Sequence, residues 1–311
     1  MAGTVAPPAL RQPGGARRTG MASRRRTALM PYLFLAPALA ILLLVSVYPL
    51  GFAIRRSFYV THFMQLGAYV GLRNYTDFFA LQHGWASVGH SVVFAAGSLI
   101  CTLPLSLVLA LALNHPMPFR TTIRTVLILP WIVSQAIAGL LWGWLLNPDF
   151  GPVSYVVGNL FHIRLAAFDQ PATAMVATVL ANTWQSYGLP FVLLLAALQT
   201  IPEELYEAAA LDGAGRWGRL RWITLPMLRP TLAIALIMLT LHNLNMVTMI
   251  LVLTGGGPAG ATETLSVRIF NEAFQFQNLG LASMMGVIIA ILNLAFSVAY
   301  LRVLRDDGAA A

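Results

Sequence analysis

Six stretches of this chain, 28–54, 91–113, 126–146, 173–198, 231–253 and 279–301, contain no Asp, Glu, Lys or Arg. Each reaches the roughly 20 residues that an α-helix needs to cross a hydrocarbon layer about 30 Å thick. Their apolar residues run continuously instead of alternating, which argues for helices and against a transmembrane β-barrel. Prolines within them (Pro31, Pro37, Pro49, Pro104, Pro130 and Pro190) would break a soluble helix. Packed membrane helices tolerate them by re-satisfying the freed carbonyls. The expected fold class is therefore all-α, a polytopic membrane protein with six transmembrane helices. Composition agrees: 58% of the 311 residues are hydrophobic and 10% charged, against about a quarter charged in a soluble domain.

The net charge of +8 comes from 19 basic residues, all arginine. On a soluble chain this would suggest nucleic acid. Here the arginines flank apolar runs, so they report orientation in a membrane, and no nucleic-acid partner is expected. With the N-terminus inside, the inner segments hold 14 arginines and the outer segments 5. That bias predicts both termini on the cytoplasmic side. Residues 1–27 are rich in Pro, Gly, Ala and Arg without apolar periodicity, and are expected to be a disordered cytoplasmic tail. Residues 28–305 form the membrane domain and 306–311 a short C-terminal tail. The run Ser23-Arg24-Arg25-Arg26 precedes an apolar stretch too long for a signal peptide.

Chemistry within the chain is not expected. All 11 acidic residues lie outside the six stretches, whereas proton-coupled pumps usually carry an intramembrane carboxylate or histidine relay. His242 stands alone near mid-membrane, with His90 at a boundary. A lone histidine is more often a packed, hydrogen-bonded group than a relay. No G-x-x-x-x-G-K-[ST] phosphate loop is present. The run Leu253-Thr254-Gly255-Gly256-Gly257-Pro258 lacks a lysine and reads as a turn. H-E-x-x-H, G-x-S-x-G and zinc-spaced clusters are also missing from the sequence, so neither an enzyme nor a metal site is expected. The one cysteine, Cys101, reads as a small packed residue.

The segment 201–230, between the fourth and fifth stretches, is the most informative. Pro202 can open a helix whose first turn holds Glu203 and Glu204, where the helix dipole favours anions. Glu207, Ala208, Ala209, Ala210 and Leu211 are good helix formers, and Gly213 and Gly215 can end that helix. A second helical piece from about Trp217 to Leu225 then leads through Pro226 and Pro230 into the fifth span. Such a hairpin could lie on lipid headgroups. Its carboxylates (Glu203, Glu204, Glu207 and Asp212) would be repelled by an anionic leaflet, which favours a plug gripped by a soluble partner.

The series Glu207-Ala208-Ala209, three residues, Gly213, nine residues, Ile223-x-Leu225-Pro226 resembles the EAA loop of bacterial binding-protein-dependent ABC importer permeases. The similarity extends from about Met30 onward. Leu35-Ala36-Pro37 with Tyr48-Pro49, Gly71-Leu72-Arg73-Asn74-Tyr75 and Leu129-Pro130-Trp131 resemble segments of the carbohydrate-type permeases. Leu253-Thr254-Gly255-Gly256-Gly257-Pro258 with Thr262 resembles the maltose and glycerol-phosphate type. Gly89-His90-Ser91 stands where the family often has Asn-Thr. The resemblance implies a type I ABC importer permease fold in a bacterial cytoplasmic membrane. It implies an ATPase-coupling element of Glu207, Ala208, Ala209, Asp212, Gly213, Ala214, Ile223, Leu225 and Pro226. It also implies a second homologous permease subunit, a cytoplasmic ABC ATPase dimer that binds the ATP and Mg, and an extracytoplasmic solute-binding protein. No cofactor is expected in this chain itself.

Polar residues in the fourth to sixth stretches are candidates for a solute path: Asn182, Trp184, Gln185, Ser186, Tyr187, Asn243, Asn245 and Asn293. Amides and hydroxyls match sugar hydroxyls, which donate and accept, and Trp184 and Tyr187 could stack on a pyranose. The plainer role for Asn and Gln is bonding between helices, and Gly139-x-x-x-Gly143 reads as a packing face. A neutral solute such as a sugar or polyol is the expectation, with an ion-coupled secondary transporter as the alternative function.

Overall fold

The computed structural model describes residues 34–308 apart from Met64 and Ile163, and side chains up to Arg302 apart from His62. The expected N-terminal tail, 1–27, lies outside the described residues. The chain divides into two units at Phe52/Ala53. The first is helical from Phe34, within helix α1 (Phe34–Arg56). Arg55 and Arg56 sit in the last turn of α1, where cations complement the exposed carbonyls.

A β-hairpin follows, which the sequence reading did not foresee. Strands β1 (Tyr59–His62) and β2 (Gln65–Tyr69) pair antiparallel, with Tyr59 opposite Tyr69. Their rings meet edge to face at 5.3 Å, a favourable cross-strand pair. The hairpin is tied to the start of the last helix: the Gly280 N–H donates to Thr61 Oγ1 at 2.7 Å, and the Thr61 hydroxyl donates to Asn278 Oδ1 at 3.1 Å. Asn74, on helix α2 (Arg73–Ala80), donates through its side chain to the carbonyls of Ser57 and Tyr59.

Helix α3 (Gln82–Ala112) is the second span, 31 residues long with Pro104 inside. Its last carbonyls are capped by two guanidiniums. Arg120 Nε and Arg124 Nη2 donate to the Leu113 carbonyl at 2.8 and 3.1 Å, satisfying groups that a helix end leaves open. The third expected span, 126–146, is not one straight helix. Helices α4 (Arg120–Ile132) and α5 (Gln135–Leu145) meet at 96°. The break is local chemistry: Ser134 is extended (φ −64°, ψ 147°), and its hydroxyl accepts from the Ile137 N–H at 3.3 Å. This N-cap starts a new helix.

After α6 (Pro152–Phe161), α7 (Pro171–Ser186) and α8 (Gly188–Leu198) form the fourth span. Tyr187 joins them with helical angles (φ −67°, ψ −21°). This pair is the centre of the second unit, packed by α3, α4 and α10. Helix α9 (Glu203–Leu211) leaves α8 at 68°, and its three glutamates exclude it from the hydrocarbon layer.

The fifth span also differs from expectation. Helix α10 runs unbroken over Arg216–Leu244, 29 residues, absorbing Pro226 and Pro230. It ends at Leu244, so 231–253 is not one helix. Asn245 donates through its side chain to the Leu241 carbonyl at 2.7 Å, a local bond that competes with helix continuation. The short helix α11 (Thr248–Leu253) follows. Then come α12 (Leu265–Phe270) and the sixth span, α13 (Leu279–Gly308), whose helix continues into the segment expected as a tail.

Among the described residues four apolar clusters hold these helices together, one of them formed by Leu146, Ala167 and Ala177. Phe94, Met175, Val179, Met249 and Ile250 join α3, α7 and α11. Leu113, Phe191, Leu194, Leu198 and Leu228 join the end of α3 to α8 and α10. Phe78, Leu265, Met284, Met285 and Ile289 seat α12 on α13. The Gly139-x-x-x-Gly143 face packs as expected: a Cβ on Gly139 would lie 3.1 Å from Val252 Cβ on α11, and one on Gly143 3.7 Å from Leu253 Cδ1.

Candidate functional site

The segment 201–230 folds as the helical hairpin its sequence predicts. Pro202 precedes α9 with φ −59° and ψ 134°, and Glu203 and Glu204 occupy the first turn. At the other end the Gly213 N–H donates to the Ala210 carbonyl at 3.1 Å, and the Ala214 N–H reaches back to the Ala209 carbonyl at 2.8 Å. These two bonds are a Schellman closure, which needs a left-handed residue at its centre. Gly213 supplies it at φ +82°, and a Cβ there would meet nothing within 4 Å. The demand on Gly213 is therefore one of backbone conformation and not of space.

Three side chains brace the hairpin: one bond joins its arms, one ties the second arm to the turn and one lies within the second arm. Arg219 Nε donates to the Ala214 carbonyl at 3.1 Å. The Thr224 hydroxyl lies 3.3 Å from the Arg219 carbonyl and 3.0 Å from the Tyr206 hydroxyl. Thr224 is buried and sits at the end of a π turn, Leu220–Thr224. That widened turn immediately precedes Pro226, around which a regular α-helix would have to bend. Tyr206, Arg219 and Thr224 were not singled out from the sequence, although all three fall inside the segment 201–230.

The motif residues divide by exposure. Glu207, Ala208, Asp212 and Gly213 are exposed, while Ala209, Ala214, Ile223, Leu225 and Pro226 are half-buried. Leu211, at the tip, is 90% exposed. Among the described residues, the two ion pairs are Arg73–Asp77 and Arg164–Asp149. Among the described residues no ion pair includes a hairpin carboxylate. The hairpin presents an acidic, partly apolar tip on a stiff base.

Within the spans, a cavity of about 140 Å³ opens between α4, α7, α8 and α10, with Trp131, Gln185, Ser186, Met238 and His242 in its wall. Gln185 Nε2 donates to the Val133 carbonyl at 3.3 Å, across the α4–α5 break. Its Oε1 and His242 Nε2 are buried without a partner. His242 is therefore not the fully hydrogen-bonded core histidine expected from the sequence. An unpaired buried polar atom costs on the order of 1–3 kcal/mol, and a hydroxylated guest in the cavity would relieve it. Of the other candidates, Asn182 and Asn243 bond each other at 2.9 Å between α7 and α10. Ser186 donates to the Asn182 carbonyl at 2.6 Å. Trp184 meets Trp142 edge to face at 6.1 Å. Tyr187 is buried in the cluster around Phe191. Asn245 is exposed, and Asn293 lies half-buried on α13 with its Oδ1 unpaired. Trp131 lines the cavity although the sequence reading assigned it only to a family motif.

The glycine run after α11 is a closed turn. Thr254 and Thr262 hydroxyls lie 2.7 Å apart, the Thr262 hydroxyl donates to the Gly257 carbonyl at 2.8 Å, and the Gly256 N–H donates to Thr254 Oγ1 at 3.3 Å. Its polar groups are spent internally.

The family described as "Binding-protein-dependent transport system inner membrane component" matches residues 102–306, which include the hairpin and the cavity. The chain is 35% identical to the trehalose/maltose transport system permease protein MalF of Thermococcus litoralis, over 90% of this chain and 95% of that one. It is 33% identical to the sulfoquinovosyl glycerol transport system permease protein SmoG of Agrobacterium fabrum, over 89% and 91%. It is 31% identical to the sn-glycerol-3-phosphate transport system permease protein UgpA of the same organism, over 86% and 92%. In fold it matches a chain of a bacterial ABC transporter involved in the import of the acidic polysaccharide alginate, with a TM-score of 0.77 at 23% identity, over 92% of this chain and 98% of that one. The chain belongs to the inner membrane components of binding-protein-dependent transport systems.

Proposed function

We propose that this chain is one of two membrane-spanning subunits of an importer for a sugar or related polyol, driven by ATP that a separate cytoplasmic ATPase pair hydrolyses. The observation that carries this reading is the hairpin of α9 and α10. Its arms are bonded to each other at Tyr206–Thr224, and its second arm is the first part of a span. Force applied at Glu207 or Leu211 therefore passes into the membrane without a flexible joint. The exposed carboxylate of Glu207 would face a basic group on the ATPase. ATP-driven closure of that partner would then rock α10 and its neighbours between inward- and outward-facing states, a rigid-body switch. ATP and Mg stay with the partner, and this chain supplies transmission and half of the path.

The solute class is supported by the relatives, which are named for trehalose or maltose, sulfoquinovosyl glycerol and glycerol phosphate. It is also supported by the cavity, whose wall offers an amide, a hydroxyl, an indole and an imidazole without a carboxylate. A solute-binding protein outside the membrane would deliver the cargo. The excess of arginines on the hairpin side supports placing both termini in the cytoplasm.

Uptake into proteoliposomes holding the assembled complex tests the reading. Uptake should require ATP and the ATPase and should survive a protonophore. The substitution Glu207→Lys should leave insertion and assembly intact and abolish binding-protein-stimulated hydrolysis. Uptake by this chain alone, or its collapse with the proton gradient, would point to an ion-coupled carrier instead.

A further inference from the structure

The aromatic ring in the cavity wall is not one of those expected there. Trp184 packs edge to face on Trp142, Tyr187 is buried around Phe191, and neither lines the wall. Trp131 does. It stands one residue before the end of α4, just ahead of the break at Ser134. Helix α8 lets it come close because α8 begins with glycine: a Cβ on Gly188 would lie 2.6 Å from Trp131 Cβ. On the other side of the break the Gln185 amide holds the Val133 carbonyl. The backbone that carries the indole is thus seated on both α7 and α8, while Trp131 itself stays 42% exposed. A large aromatic with two side-chain torsions loses little freedom when a guest settles on it.

The rest of the wall narrows what that guest can be. Gln185 Oε1 and His242 Nε2 are buried without a partner, and both residues line the cavity. None of the lining residues is an acid, a lysine or an arginine, so a charged solute would find no counter-charge there. A purely apolar guest, such as an acyl chain, would leave both polar atoms unpaired at the full cost of burying them. A pyranose meets both demands. Its flat C–H face lies on a π surface, and the hydroxyls round its edge donate and accept. An open-chain polyol has the hydroxyls but no flat face, and it must give up its rotors to bind.

We infer that Trp131 is the specificity-determining residue of this cavity, a stacking platform that selects a neutral, ring-closed sugar over an open-chain polyol. The C–H face of the ring lies on the indole. Its hydroxyl edge meets Gln185 Oε1, which accepts, and His242 Nε2, which donates or accepts according to its tautomer. This inference rests on the sugar-or-polyol reading above and narrows it to one of the two.

Saturation-transfer NMR on the assembled complex of permease subunits and ATPase, without the solute-binding protein, tests this. The probes are the methyl pyranosides of glucose, galactose and mannose, each titrated beside the hexitol of the same configuration. At least one pyranoside should bind the wild type about fivefold more tightly than its hexitol, the size of one aromatic contact, with saturation strongest on ring C–H groups. Trp131→Leu should remove that advantage and leave the hexitols unchanged. Trp131→Phe keeps an aromatic face and should retain most of it, so the comparison stands even where leucine disturbs α4. Equal affinity for pyranosides and hexitols in the wild type, binding of neither, or an undiminished advantage in Trp131→Leu would overturn the assignment. The measurement involves neither uptake nor hydrolysis. Ring selectivity without ATP-driven uptake would keep Trp131 in its role and remove the importer, and ATP-driven uptake without ring selectivity would do the reverse.

Discussion

Gly213 offers a graded test of the hairpin's mechanical role. Its φ of +82° is the left-handed conformation that closes α9, and a Cβ at this position meets nothing within 4 Å. Alanine would fit the space but not the backbone, at a cost of about 1–2 kcal/mol for an L-residue in that region. Asparagine tolerates the conformation better and should recover much of this loss. Proline cannot reach positive φ and also removes the N–H that bonds Ala210, so it should open the turn altogether. At about 1.4 kcal/mol per factor of ten, Gly213→Ala should shift the closed hairpin's equilibrium by roughly five- to thirtyfold. The assay is binding-protein-stimulated ATP hydrolysis in the reconstituted complex, with membrane insertion measured alongside. The expected order of coupling is Gly, Asn, Ala, Pro. Asparagine is larger than alanine, so a purely steric clash with a docking groove would reverse the middle pair. That reversal, or normal coupling with proline, would refute the backbone argument.

Three further substitutions read other parts of the structure. Tyr206→Phe removes the hydroxyl bonded to Thr224, worth about 1 kcal/mol. It should lower solute moved per ATP hydrolysed while leaving the melting temperature nearly unchanged, and an unaltered ratio would show that the arms do not need this bond. Gly188→Ala would put a Cβ 2.6 Å from Trp131 Cβ. Helix α4 must then shift at a cost of about 1–3 kcal/mol, visible as a lower melting temperature in detergent. Glu272, beyond α12, is pushed above the ordinary carboxylate range by burial. Arg268 opposes that shift and Glu263 adds to it. Its folded form holds the proton more tightly, so stability should fall as pH rises from the ordinary carboxylate value of about 4.3. Glu272→Gln should remove that slope and raise the melting temperature at neutral pH, and an unchanged pH profile would contradict the assignment.

The sequence carries the spans as charge-free runs because hydrocarbon excludes Asp, Glu, Lys and Arg wherever they fall. It carries the hairpin because Pro202, the alanines and Gly213 each have one strong backbone preference. The interruptions are less legible. Apolar composition does not distinguish a straight helix from two joined at Ser134, and only the capping chemistry of that serine, four residues after Pro130, marks the break. Asn245 marks the end of α10 in the same understated way. Pro226 and Pro230 misled in the opposite direction: they suggest an end where a π turn lets the helix continue. The β-hairpin had a signal in the alternating run Tyr59-Val60-Thr61-His62, obscured by its place in a short connection between spans. His242 could be located from the sequence, but the absence of a partner for its Nε2 depends on what α4 and α8 leave beside it.

The unbroken course of α10 gives the molecule a mechanical gain. A rod about 43 Å long that tilts by about 10° about its hairpin end carries its other end roughly 7 Å sideways. Met238 and His242 ride near that moving end, so a small stroke at the ATPase would change the shape of the cavity more than it changes the hairpin. Beyond Leu244 the rod stops. Helix α11 packs on α5 through Val252 and Gly139, so rocking of α10 would reach the opposite face through the joint at Asn245 and not through a continuous helix.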